Sequence, residues 1–244
     1  MSITIKGFIE SSLIEWEGNI AAILFLPHCN MRCPYCHATH LVNKPNELES
    51  IPLEVVEKRI KKNKDWLDGV VISGGEPTFR DDLDSLIKIF KNMGLKVRLD
   101  SNGTNPDLLE DLIQRELIDC VAMDIKAPLR EGKYNAASGA SCNLSDIERS
   151  IKLIMDSGIE YEFRTTVCPT FLDKPDIVEI AQSIAGAMRY TLQTFRPTNC
   201  LDSKMFDVVP YTEDEMKDIA RDARRFVENC YVRGEEMKAL SCNW

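Results

Sequence analysis

No stretch of the sequence approaches the ~18 consecutive apolar residues of a membrane span. The opening residues, Met1-Ser2-Ile3-Thr4-Ile5-Lys6-Gly7, lack the charged start, apolar middle and small-residue cleavage site of a secretory signal. A cytoplasmic location with no membrane partner is the expectation. Excess basic charge is also missing: 30 Lys and Arg face 39 Asp and Glu, a formal net charge of -9. Such a surface is not built to neutralise phosphates, so no nucleic-acid partner is expected. No Gly/Ser- or Pro-rich linker and no internal repeat divides the chain. It reads as one domain over 1–244, with a lead-in at 1–19 and a C-terminal helix and tail from about residue 200. No Ser/His/Asp triad stands out.

What the sequence does have is cysteine in one place. Of nine cysteines, an odd number poorly suited to a disulfide framework in a reducing compartment, three fall within Cys29-Asn30-Met31-Arg32-Cys33-Pro34-Tyr35-Cys36-His37. Packing rarely needs thiols at that density, so they read as metal ligands or reactive groups. Cys120, Cys142 and Cys168 read as structural, and Cys200, Cys230 and Cys242 lie at spacings unlike a second cluster motif.

The periodicity around this stretch is that of repeated βα units. Ile20–Leu26 is a continuous apolar run closed by Pro27, which suits a buried parallel strand, and the cysteine loop leaves its end. Further strands are expected at Val70–Ile72, Leu95–Leu99, Cys120–Met123, Glu160–Val167 and Arg189–Phe195, with Tyr231 and Val232 as a short edge strand. Helical stripes lie between them: Pro52–Asn63; Leu83, Leu86, Ile87 and Phe90; a helix from Pro106 after Asn105; Ile147, Ile151 and Ile154 after a capping box at Ser145; and Ile177, Ile180, Ala181 and Ile184. A last helix starts at the capping box Thr212-Glu213-Asp214-Glu215, whereas Pro128–Ser141 has no period and reads as a loop. The alternation predicts an α/β fold with a parallel sheet, a partial (β/α)6 barrel, with a doubly wound open sheet as the other arrangement.

In parallel barrels ligands sit at the C-terminal ends of the strands. Those ends carry the cysteine loop, Gly74-Gly75-Glu76, Asp100-Ser101-Asn102-Gly103, Asp124-Ile125-Lys126, Arg164 and Arg196. Each has a plain reading: two glycines make a tight turn, the Asp100 tetrad a capped turn, and Asp124 with Lys126 an ion pair on one strand face. Their coincidence at one rim favours a ligand site. Three accounts of the cysteines compete. Cys33-Pro34-Tyr35-Cys36 has the CxxC form of thiol oxidoreductases, which leaves Cys29 unexplained. Cys29, Cys33, Cys36 and His37 could form a Cys₃His structural zinc site, which gives the rim carboxylates no role. Three thiolates could instead hold a [4Fe–4S] cluster with one iron open to a ligand, which accounts for both.

Cys29-x3-Cys33-x2-Cys36, with aromatic Tyr35 before the last cysteine, resembles the signature of the radical S-adenosylmethionine (SAM) enzymes, and Gly74-Gly75-Glu76 matches their second motif. The likeness runs from Ile3 to Asn199 and is greatest to the glycyl-radical-enzyme activases, in particular the activating proteins of anaerobic ribonucleoside-triphosphate reductase. Lys6-Gly7-Phe8 with Ser12-Leu13-Ile14-Glu15-Trp16-Glu17-Gly18 is similar to their lead-in, and Cys33-Pro34-Tyr35-Cys36-His37 to their cluster loop. Asp100-Ser101-Asn102-Gly103 and Asp124-Ile125-Lys126 resemble the carboxylate motifs of the pyruvate formate-lyase activating branch.

The resemblance implies the radical SAM form of the partial (β/α)6 barrel. It also implies that Cys29, Cys33 and Cys36 ligate the cluster, whose open iron chelates the amino and carboxylate groups of SAM. Gly75 and Glu76, with Gly74 in the same motif, would receive the SAM ammonium group. Lys126 and Arg164 would face its carboxylate end or the incoming substrate peptide, and Tyr35 would position adenine. Asp100, Ser101 and Asp124 would give oxygen ligands to a monovalent cation. Implied partners are a flavodoxin or ferredoxin electron donor and a glycyl-radical enzyme, first the anaerobic ribonucleotide reductase. A pyruvate formate-lyase type enzyme, a peptide or a small molecule would use the same core.

Overall fold

In a computed structural model that describes residues 3–233, the lead-in does more than approach the first strand. Gly7–Ser12 form a strand of their own, β1, antiparallel to Ala21–Leu26, β2, with Phe8 opposite Leu24 and a register irregularity between Ile9 and Ser12. The partial alternation in this stretch has a physical origin: β1 is a sheet edge, half-buried at best, and selects weakly for apolar residues.

β2 is buried almost throughout, as its apolar run requires. Helices α1 (Thr39–Asn43) and α2 (Leu53–Lys62) lead to β3 (Gly69–Gly74), and α3 (Leu83–Asn92) to β4 (Lys96–Ser101). Then come α4 (Pro106–Gln114), β5 (Cys120–Asp124), α5 (Glu131–Ser138), α6 (Leu144–Asp156), β6 (Glu160–Val167), α7 (Lys174–Ser183), β7 (Tyr190–Thr194), α8 (Glu213–Ala223) and β8 (Cys230–Val232). Strands β2 to β8 are parallel, each paired with its neighbour in sequence, and β1 and β8 are the sheet's two edges. A doubly wound sheet reverses its strand order at a switch point. This one never does, so the architecture is the partial barrel: six βα units from β2 to β7, extended by β1 and β8.

Two local expectations change. The segment read as a loop at Pro128–Ser141 contains α5, which has no apolar stripe and is held by burial of Tyr134, Ala137 and Ser138. Helix α6 starts before the Ser145 capping box: Asn143 caps it, its side chain accepting from the Ser145 amide at 3.3 Å. The boxes at Thr212 and, unanticipated, at Asp173 are formed. No helix among the described residues is long and apolar enough to cross a membrane.

Alternation along each strand sorts the residues into two faces. Outward side chains pack beneath the helices in the main core, including Leu24, Ile72, Leu99, Met123 and Phe163. Inward ones make a small second core of Ala21, Ile23, Val71 and Cys120 beneath Trp16, with Phe25 packed against it. Trp16 comes from the β1–β2 turn, is only 1% exposed, and donates its indole N–H to Glu160 Oε2 at 3.2 Å. The same turn spans the open side of the barrel through the ion pairs Glu17–Arg189 and Glu15–Arg233, both at 2.6 Å. Beside and above this apolar floor the inner face turns polar, with Arg98 in register with Val71 and Cys120 and then Ser73, Asp100, Glu162 and Arg164.

Because Trp16 closes the floor, Trp16→Ala is expected to cost about 3–5 kcal/mol, seen as a lower urea midpoint of the apoprotein, with little change in the denaturant slope.

Candidate functional site

The cysteine loop begins with a forced bend. His28 lies in the left-handed region (φ 69), which costs a residue with a Cβ roughly 1–2 kcal/mol. Contacts hold it there: its N–H donates to Leu41 O at 2.9 Å and its carbonyl accepts from the Glu76 amide at 2.8 Å. Beyond the bend the Met31 amide donates to Cys29 Sγ at 3.4 Å, and Arg32 Nη1 to the Cys29 carbonyl at 2.6 Å. From outside, the Asp202 amide donates to Pro34 O and the Arg32 amide to Ser138 O, each at 2.9 Å. The helix α5 missed in sequence is therefore a support of the loop.

Gly74 and Gly75 are where the end of β3 meets that bend. A Cβ on Gly75 would lie 1.7 Å from the His28 carbonyl oxygen, and one on Gly74 (φ 124) would lie 2.3 Å from backbone atoms of Leu26. Plain and functional readings of the two glycines coincide, because the tight approach is what docks the cysteine loop. Glu76 continues the bracket from within. Its carboxylate is buried and accepts from the Thr78 amide, Thr78 Oγ1 at 2.6 Å, Ser101 Oγ at 2.9 Å and the Asn102 amide at 2.7 Å. Three of these bonds fall on Oε1, so Oε2, with one, keeps acceptor capacity. Burial pushes the Glu76 carboxyl upward, and the same donors oppose that rise.

Behind the bracket lies a network of three carboxylates and three cations. Asp100 accepts from Ser73 Oγ at 3.0 Å, Arg98 Nε at 3.1 Å and Arg164 Nη1 at 3.3 Å. Arg164 Nη2 donates to Asp124 Oδ2 at 3.1 Å, and Lys126 Nζ stands 3.9 Å from that oxygen. Glu162 accepts from Arg98 Nη2 at 2.6 Å and from Thr191 Oγ1 at 3.0 Å. Burial alone would raise Asp100, but the guanidinium groups of Arg164 and Arg98 outweigh it and hold the carboxyl below its ordinary range. Lys126 is held above its own range, burial being outweighed by Asp124 and the thiol of Cys33. Of the oxygens expected to bind a monovalent cation, those of Asp100 and Asp124 both accept from Arg164, and Ser101 Oγ donates to Glu76.

Cys29, Cys33, Cys36, Gly74, Gly75, Glu76, Asp100, Ser101, Asp124, Lys126 and Arg164 all line one cavity of about 130 Å³. A wider cavity of about 470 Å³ shares the walls from Cys33 to Arg164 and adds Tyr35, His37 and Gln193 on the way to solvent. Tyr35 thus lies on the outer cavity alone, its ring 5.7 Å from that of Phe171. Arg196 takes part through its backbone: its carbonyl is 2.9 Å from His37 Nε2, and its side chain is in neither cavity. Arg98 and Glu162 were not singled out from the sequence as site residues. Their signal was there in Arg98/Asp100 and Glu162/Arg164, charged residues alternating with the buried Val97, Leu99, Tyr161 and Phe163 along β4 and β6.

The donor set discriminates among the three accounts of the cysteines. His37 is turned to Arg196 and stacked on Phe195 (centroids 6.4 Å apart), away from a Cys₃His set. Among the described residues no three His, Cys, Asp or Glu side chains are arranged to share a single metal ion. A redox CxxC needs a depressed thiol pKa. Burial instead pushes Cys33 up to about 12, and Cys29 and Cys36 upward too, so loading a metal centre must release protons. A cluster spreads three thiolates over three irons and suits the loop. Among the described residues three buried side-chain polar atoms have no protein partner: the Tyr134 hydroxyl and, on the two residues that line these cavities, Arg164 Nε and the Tyr35 hydroxyl. An unpaired buried donor costs roughly 1–3 kcal/mol, so Arg164 and Tyr35 suit a polar ligand beside the thiols. The remaining thiols differ: Cys120, Cys168, Cys200 and Cys230 are buried in the core, Cys142 is half-buried, and Cys242 lies outside the described residues.

A sequence model of the radical SAM superfamily matches residues 23–185. A Methanocaldococcus jannaschii protein, provisionally named a glycyl-radical enzyme activating enzyme, is 32% identical over 240 residues, 96% of this chain and 97% of its own length. The pyruvate formate-lyase-activating enzyme of Clostridium pasteurianum is 23% identical over 90% of this chain and 97% of that one. The crystal structure of Streptococcus suis SuiB bound to S-adenosylmethionine superposes with a TM-score of 0.65 at 16% identity, a likeness of fold. The match covers 87% of this chain and spans about half, 52%, of SuiB.

Gly75→Ala is expected to lose most of its iron after anaerobic reconstitution with all three cysteines intact, and to be destabilised by about 1–3 kcal/mol. Gly132→Ala, whose Cβ meets nothing within 4 Å, is expected to load like the unaltered protein; iron and sulfide content checks both.

Proposed function

The chain belongs to the radical SAM superfamily, in its glycyl-radical enzyme activating branch, and we propose that it installs a glycyl radical on anaerobic ribonucleoside-triphosphate reductase. The observation that carries the reading is the convergence of three thiols, the Gly74-Gly75-Glu76 bracket and the unpartnered Arg164 Nε on one cavity that opens into a second. When bound, the [4Fe–4S] cluster supplies the electron that splits SAM into methionine and a 5′-deoxyadenosyl radical, which takes a hydrogen atom from the partner's glycine.

The chain's own residues hold and orient. Cys29, Cys33 and Cys36 would hold the cluster, leaving it a position for the amino and carboxylate groups of SAM. Glu76 Oε2, with its spare acceptor capacity, and the backbone at Gly75 receive the ammonium. Arg164, through Nε, and Lys126 face the carboxylate. Tyr35 walls the adenine side from the outer cavity, and burial of the inner cavity keeps water from the reacting atoms. No side chain is asked to move a proton. The electron comes from a flavodoxin or ferredoxin in the cytoplasm, and the partner's glycine enters by the outer cavity.

The ribonucleotide reductase assignment rests on the lead-in and cluster-loop stretches Lys6-Gly7-Phe8, Ser12–Gly18 and Cys33–His37. A second reading, a pyruvate formate-lyase type partner, is favoured by similarity to the Clostridium pasteurianum enzyme over nearly the whole chain.

Anaerobic electron paramagnetic resonance with SAM, reductant and each candidate partner separates them. A glycyl doublet is expected with the ribonucleotide reductase and is expected to vanish when any of Cys29, Cys33 or Cys36 is replaced by Ser. A doublet with the lyase alone moves the assignment to the second reading. SAM cleavage without a doublet on any partner sinks the activase proposal.

A further inference from the structure

Arg98 and Glu162 line neither cavity, yet they are buried, charged and joined directly to residues that do. Arg98 lies in register with Val71 and Cys120, and Val71 with Ile23, members of the small apolar core of the interior. Parallel-barrel interiors are ordinarily filled with branched apolar side chains. A buried ion pair is seldom required for stability, since apolar residues of similar volume often serve as well or better. The pair therefore calls for a reason other than stability.

The geometry supplies one. Arg98 is a two-pronged tie, Nε to Asp100 Oδ1 at 3.1 Å and Nη2 to Glu162 Oε1 at 2.6 Å. Both carboxylates also face the Nη1 of Arg164, from Asp100 Oδ2 at 3.3 Å and Glu162 Oε1 at 3.9 Å. Asp124 holds Nη2 at 3.1 Å, and Thr191 anchors Glu162 from β7. Arg164 is thus gripped at both terminal nitrogens while Nε stays unpaired. With Arg98 in place, the carboxylates Asp100, Asp124 and Glu162 balance Arg98, Arg164 and Lys126. Without it, two carboxylates would compete for Arg164 and draw its guanidinium down into the barrel, away from the cavity.

We propose that Arg98 and Glu162 are positioning residues: Arg98 is the resident cation of the site, and by occupying Asp100 and Glu162 it leaves Arg164 poised toward the amino-acid end of SAM. This rests on the reading of the inner cavity as a SAM site. It entails that no mobile metal cation is needed at Asp100, because a guanidinium already neutralises it.

The test uses anaerobically reconstituted protein and reads three quantities. These are SAM affinity, from the change that SAM makes in the cluster's paramagnetic resonance spectrum; KM for SAM against kcat for 5′-deoxyadenosine formation; and the apoprotein melting temperature. Arg98→Met is expected to bind SAM at least about tenfold more weakly, the loss of one charged hydrogen-bonding partner, with unchanged iron content and KM affected more than kcat. Added guanidinium is expected to restore part of the affinity in Arg98→Ala. Should the single variants not fold, the double variant Arg98→Met, Glu162→Met decides, because it removes both charges together. It is expected to melt like the parent yet still bind SAM weakly. SAM affinity equal to the parent's in a folded single or double variant overturns the inference, as does a loss of parental affinity when sodium and potassium are replaced by tetramethylammonium. A parent protein that neither binds nor cleaves SAM overturns the cavity reading itself, and this inference with it.

Discussion

Everything at the mouth of this barrel depends on a contact in which no side chain takes part. The ends of β2 and β3 approach so closely that the His28 carbonyl occupies the space a Cβ on residue 75 would need, and two backbone hydrogen bonds, Gly75 to Leu26 and Glu76 to His28, lock them together. That approach forces His28 into the left-handed region and sets the direction in which the cysteine loop departs. The lock is extended by Glu76, which gathers donors from Thr78, Ser101 and Asn102 and so joins β3 to β4. Asn102 Nδ2 then donates to Asn30 Oδ1 at 2.8 Å, closing the circuit back onto the loop. Three cysteines close in sequence cannot arrange themselves, and the neighbouring strand ends do it for them.

The barrel interior is divided by function along its axis. Its floor is a small apolar core capped by Trp16, where burial supplies stability. Its upper half trades that stability for charge, with two arginines, a lysine and three carboxylates mutually neutralised in a space that water hardly reaches. Such networks are costly when incomplete and rigid when complete. Here all members but one atom are paired, and that atom, Nε, belongs to Arg164, which lines the cavity. The open side of the barrel is handled differently: surface ion pairs from Glu15 and Glu17, each worth little alone, draw the β1–β2 turn across the gap beside the buried anchor of Trp16.

Most of the fold was legible because its signals are local. Ala21–Leu26 is apolar without a break because a parallel strand is covered on both faces, and the helices α3, α4, α7 and α8 show the stripe that one-sided burial demands. Where burial is partial the signal fades. β1 is an exposed edge, and α5 is held by Tyr134 and Ala137 without a repeating stripe. The start of α6 moved because Asn143 and Ser145 are both competent caps, and only the path of the chain from α5 decides between them. At the site, the cysteines and the Gly74-Gly75-Glu76 motif were legible as a pattern. The charges of Arg98 and Glu162 were visible but unread, since nothing in one strand says which distant strand its inward side chains will meet.

By itself, then, the amino-acid sequence determined the order of strands and helices, the rim on which the polar residues collect, and the three thiols with no fourth. Those follow from hydrophobic period and residue chemistry, which act over a few positions. Tertiary structure alone decided that Glu76 joins the Thr78 turn to the end of β4, that His37 reaches the Arg196 carbonyl, and that Arg164 bridges Asp100 and Asp124. Each of these turns on which partner a polar group reaches first once water is excluded, and that is settled only when residues from 25 positions apart (Glu76 and Ser101) to 159 (His37 and Arg196) are brought to hydrogen-bonding distance.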